Sequence, residues 1–69
     1  MDKLLEEETN HNWNNYVESA QKRYEAIWTD ENVAKAQAAF AEEYALSADP
    51  NRAGAMADLV FGKLLDEYF

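Results

Sequence analysis

The chain has 69 residues, of which 14 are Asp or Glu and 6 are Lys or Arg, giving a formal net charge of −8. That length bounds it to a single domain, residues 1–69, too small to enclose a sizeable substrate pocket. The negative balance opposes direct contact with nucleic acid or an anionic membrane. Without cysteine there is neither a disulfide nor a thiolate metal site, while a hydrophobic content of 48% argues for a folded core.

The amino terminus, Met1-Asp2-Lys3-Leu4-Leu5 followed by three glutamates, lacks the basic, apolar and small-residue regions of a secretory signal. No apolar run approaches bilayer length. The expectation is a soluble, cytoplasmic protein. Residues 1–9 either extend the first helix or fray.

The first predicted helix runs at least from about Asn12 to Ile27. Trp13, Tyr16, Val17, Ala20, Tyr24, Ile27 and Trp28 share one stripe at helical spacing, with Glu18, Lys22 and Glu25 opposite. Glu18–Lys22 and Glu31–Lys35 stand at i,i+4 in the favourable order for helical ion pairs. A second helix begins after Thr29, a good N-cap, with Asp30 and Glu31 at the positive end of its dipole and Trp28 placed to staple Val33. Its inward stripe is expected to be Val33, Ala36, Gln37, Phe40 and Tyr44. Asp49-Pro50 then marks a third helix start, because proline costs nothing at the first helical position and excludes helical geometry from the residue before it. Here the expected core stripe is Ala53, Met56, Ala57, Val60, Leu64 and Tyr68. Two short connections imply antiparallel neighbours, so the predicted fold is all-α, a compact three-helix bundle.

Helix 3 carries apolar residues on more than one side. Leu59, Phe61, Leu65 and Phe69 fall outside the expected core stripe and form a candidate face for a homodimer or a partner. Gly54 and Gly62 interrupt its interior with Asp58 between them, suited to close helix crossings.

Catalytic chemistry has little to draw on. His11 is the only histidine, and Glu8 and His11 supply one Glu-x-x-His element where a di-iron bundle needs two, so no metal or other cofactor is expected. Ser19 and Ser47 have no base nearby in sequence, and the isolated glycines make no phosphate loop. The basic residues are scattered, with Lys22 and Arg23 flanked by Glu18 and Glu25, so no phosphate-binding patch forms. An enzyme is not expected.

What remains is the carboxylate set: Glu18, Glu25, Glu31, Glu42, Glu43, Asp49, Asp58 and Asp66 are the candidate acidic contacts. Helical carboxylates at i,i+4 and i,i+7 recur at about 6 and 10 Å along an axis, against a phosphate every 3.4 Å along a DNA strand, so rows on two helices can imitate a phosphate ladder. In size and composition the chain resembles small phage- or plasmid-encoded proteins that block nucleases, restriction enzymes or CRISPR complexes by imitating DNA. The resemblance implies an inhibitor-type module whose partner is a basic, nucleic-acid-handling protein, such as a nuclease or a restriction or CRISPR component. The other expectation is a homodimer or adaptor working through the second apolar face of helix 3.

Overall fold

The three stretches of helical periodicity fold as three helices in a computed structural model that describes residues 3–68, with side chains from Glu6 onward. They are α1 (Lys3–Arg23), α2 (Asp30–Ser47) and α3 (Pro50–Tyr68), with a single 3-10 turn at Glu25–Ile27 between the first two. The result is an all-α three-helix bundle measuring 39 × 19 × 18 Å. At 1.5 Å per residue α1 is about 31 Å long, most of the long dimension. No helix among the described residues is long and apolar enough to cross a membrane.

The helix ends are set by local hydrogen bonding. Lys22 and Arg23 occupy the last turn of α1, where cations suit the negative end of the dipole. The α-helix stops at Arg23, not at the expected Ile27: from there the bonding tightens to i,i+3, the Ile27 amide donating to the Tyr24 carbonyl at 3.0 Å and the Trp28 amide to that of Glu25 at 3.2 Å. The Ile27 carbonyl accepts twice, from the Thr29 amide and from Asn32 Nδ2, each at 2.9 Å, which ties the turn to the start of α2. Thr29 caps α2 as expected: its Oγ1 accepts from the Asn32 amide at 3.2 Å. At the far end Ala48 takes the left-handed conformation (φ 54°, ψ 26°), and its amide donates to the Tyr44 carbonyl at 2.8 Å. Ser47 Oγ accepts from the Asp49 amide (3.2 Å), and Asp49 Oδ1 from the Asn51 amide (2.9 Å), which starts α3 at Pro50.

The core contains no polar or charged residue among those described. Trp13, Ala20 and Ile27 come from the first segment, Ala36, Phe40 and Tyr44 from α2, and Ala53, Ala57 and Phe61 from α3. Phe40 and Phe61 are the largest fully buried side chains, and each gathers aromatic neighbours. Trp13 meets Phe40 edge-on at 5.4 Å, while Tyr24 and Trp28 stack on Phe61 at 4.8 and 5.2 Å.

Two of the expected stripes need correction. Gln37 points to solvent. On α3 the buried face is Ala53, Gly54, Ala57 and Phe61, with Val60, Leu64 and Leu65 packed against it, while Met56 (40% exposed) and Tyr68 (62%) lie outside. The helix is turned by about 45°, roughly half a residue, from the expected orientation, so that Ala53, Ala57, Val60 and Leu64 stay on the inner side while Met56 and Tyr68 leave it. Periodicity alone left two apolar stripes in competition. The stacking of Tyr24 and Trp28 on Phe61 and the small residues at 53, 54 and 57, which admit neighbouring elements closely, decide between them.

Candidate protein-binding surface

The expected acidic contacts divide by environment. Glu18, Glu25, Glu31, Glu42 and Asp66 are exposed, whereas Glu43, Asp49 and Asp58 are half-buried. Ion pairing among the described residues is limited to Lys35–Glu31 at 3.6 Å and Arg23–Asp58 at 3.4 Å. The expected Glu18–Lys22 bridge is not formed. Glu18, Glu25, Glu42, Glu43 and Asp66 therefore form no ion pair among the described residues. Along α2, Glu31 and Glu42 are eleven residues apart, which places them on nearly the same face about 16 Å apart. Glu18 and Glu25, seven residues apart, do not continue one helical row, because the α-helix ends between them.

Asp49 and Asp58 also serve the fold. Asp49 caps α3. Asp58 is the hub of a polar fastener at the edge of the core. Its Oδ1 accepts from the Tyr16 hydroxyl at 2.6 Å and the Tyr24 hydroxyl at 3.2 Å, and the Arg23 guanidinium approaches the same oxygen. Arg23 also lies over both rings, 5.2 Å from the Tyr24 centroid and 5.9 Å from that of Tyr16. Gly54 makes room: a Cβ there would stand 3.3 Å from Tyr16 Cδ1.

Burial raises the Tyr16 hydroxyl well above the usual tyrosine range, and the hydrogen bond and negative charge of Asp58 add to the shift, with Arg23 opposing. Tyr24 is raised for the same reasons, burial first. Phenols held protonated in this way are donors, poor as nucleophiles or bases. A hollow of about 370 Å³ opens beside the cluster between α1 and the start of α3, lined by Asn12, Asn15, Tyr16, Arg23, Asn51 and Asp58 among others. Nothing in it pairs a nucleophile with a base. His11 lies exposed, with Nε2 3.4 Å from Asn15 Nδ2, and no group of three His, Cys, Asp or Glu suited to a metal occurs among the described residues.

The apolar candidates also divide. Leu59 is 64% exposed and available to a partner. Phe61 is not: it is fully buried beneath Tyr24 and Trp28. Leu65 is half-buried against the core, and Phe69 lies outside the described residues. The residues missed from sequence are Leu46, 80% exposed near the end of α2, and Met56, which joins it across the α2–α3 seam. A leucine outside its helix's core stripe and just before a cap was the available signal. Asp58 also had one: a carboxylate next to Ala57 stands at the margin of the buried face and needs partners there.

Comparison with protein-family models, with curated proteins and with solved structures finds no match.

Proposed function

We propose that this chain is an acidic protein-binding module that engages a basic, nucleic-acid-handling protein through its surface carboxylates. The observation that supports this most is the excess of exposed carboxylates without a cation, spread over Glu18, Glu25, Glu42 and Asp66 on a protein of net charge −8. Such a surface attracts a basic one over about a Debye length and accelerates encounter. Imitation of nucleic acid is the sharper form of the reading: the carboxylates then occupy the partner's phosphate sites, and inhibition follows from blocking them.

Affinity capture from a lysate in about 50 mM and about 500 mM salt tests the electrostatic claim, since exposed charges are screened across that range. Basic partners are expected to be retained at low salt and lost at high salt. They should also be lost from a Glu18→Lys/Glu42→Lys variant whose circular dichroism is unchanged. Retention that ignores both salt and charge reversal would overturn the reading. For the sharper form, duplex DNA should displace the captured partner. A ternary complex of partner, DNA and this protein would refute imitation while leaving acidic docking intact.

A further inference from the structure

The second apolar feature of the molecule is a channel along the seam of α2 and α3. On α3, Met56, Leu59, Val60 and Lys63 follow one another at i, i+3, i+4 and i+7, a continuous two-turn stripe. Glu42, Glu43 and Leu46 border the channel from α2. Two adjoining hollows, of about 180 and 300 Å³, share Met56 in their walls. Leu46 and Leu59, at 80% and 64% exposure, are the most exposed large apolar side chains described, and both line this channel. The opposite flank of α3, at Gly54 and Asp58, is already taken by Tyr16 of α1. The α2–α3 pair therefore offers an unfilled valley of the kind a further helix occupies in a bundle.

Charge selects the occupant. One bank carries two carboxylates, Glu42 and Glu43, and neither forms an ion pair among the described residues. Among the described residues the only cation lining the hollows is Lys63, at the other end. A second copy of this chain would bring net charge −8 against −8. We propose that the valley is a docking groove for an amphipathic helix of a basic protein. Apolar side chains at i, i+3, i+4 and i+7 of that helix fill the hollows around Met56, and its lysines or arginines meet Glu42 and Glu43. The inference rests on the acidic-module reading and adds to it the place and the shape of the contact.

The test uses three labelled synthetic helical peptides of about five turns, long enough to hold helical structure when bound. One has leucines at i, i+3, i+4 and i+7 with lysines elsewhere. The second has the same composition in scrambled order, with no apolar stripe. The third keeps the leucine stripe but carries glutamates. By fluorescence anisotropy the first peptide should bind at least about ten-fold more tightly than either of the others, a difference of roughly 1.4 kcal/mol. Leu59→Asp, at an exposed position that leaves the core untouched, should abolish the preference for the first peptide over the scrambled one, and Glu42→Lys/Glu43→Lys should weaken the first peptide more than the scrambled one. Equal binding of the two basic peptides overturns the groove and leaves acidic docking standing. Equal binding of the two striped peptides overturns the choice of a basic helix. Failure of both basic peptides to bind overturns the groove and counts against the acidic module as well. Sedimentation showing a dimer that Leu59→Asp dissolves would assign the valley to a second copy, against the proposal.

Discussion

One carboxylate oxygen holds the ends of two tyrosines and an arginine. Asp58 Oδ1 takes the Tyr16 hydroxyl at 2.6 Å, short for a neutral donor and typical of a charge-assisted bond. Tyr24 and Arg23 share the same oxygen at longer range, so removing one donor leaves the carboxylate partly satisfied. Tyr16→Phe is therefore expected to cost about 1–2 kcal/mol, at the lower end for a hydrogen bond to a charged group. The pH dependence has a definite sign. Because burial and Asp58 raise both phenols above the unfolded value of about 10, the native state keeps protons that the unfolded chain has released. Their contribution is complete below pH about 10 and is lost as pH rises from there toward the folded values. Urea titrations at several pH values from 8 to about 11.5 should show stability falling above pH about 10, and falling less steeply in Tyr16→Phe. Equal alkaline slopes for the two proteins would mean that Tyr16 is no better protected from ionisation folded than unfolded.

At the scale of the helices, three small residues make separable demands. Ala48 holds φ at 54°, a region where a Cβ is crowded, at the point where α2 ends. Ala48→Gly should stabilise by about 0.5–1 kcal/mol. Gly62 has nothing within 4 Å of where its Cβ would stand, so Gly62→Ala should gain about the same through helix propensity. Gly54→Ala has that intrinsic gain too, but its Cβ would press on a Tyr16 ring pinned by Asp58 and packed on Trp13 and Phe40. It should be destabilising. Thermal melts of the three variants check the set, and a stabilised Gly54→Ala would show that Tyr16 can yield. The same residues mark what the sequence made legible. Caps at Thr29 and Asp49-Pro50 depend on neighbours in the chain, and both were readable. The rotation of α3 depends on what stacks on Phe61, and Tyr24 and Trp28 lie more than thirty residues away. A stripe count could not see that preference, so it put Phe61 on the surface and Met56 in the core. The acidic surface was legible as a charge excess. Which carboxylates serve the fold was not, because Asp58 acquires its donors only when α1 crosses α3.

For the molecule as a whole, the charge on which the proposed docking rests also works against its own folding. A domain of this size holds roughly 3–5 kcal/mol of stability from a single core, so modest self-repulsion matters. The two ion pairs among the described residues are partly exposed and worth about 1 kcal/mol or less each. The excess of exposed carboxylates at net charge −8 should outweigh them. Screening relieves repulsion among surface charges more than it weakens the Arg23–Asp58 contact, which is half-buried and supported by two tyrosine hydroxyls. Raising salt from about 20 to about 500 mM should therefore raise Tm, by about 4–8 °C if screening recovers 1 kcal/mol. Charge-reversed Glu18→Lys/Glu42→Lys should start from a higher Tm at low salt and gain less. A cationic partner relieves the same repulsion, so the Tm increment from an added basic peptide should shrink as salt rises, while the protein's own Tm climbs. If Tm instead falls with salt, the few cations stabilise the fold more than the carboxylates oppose it, and relief of self-repulsion contributes nothing to the binding of a basic partner.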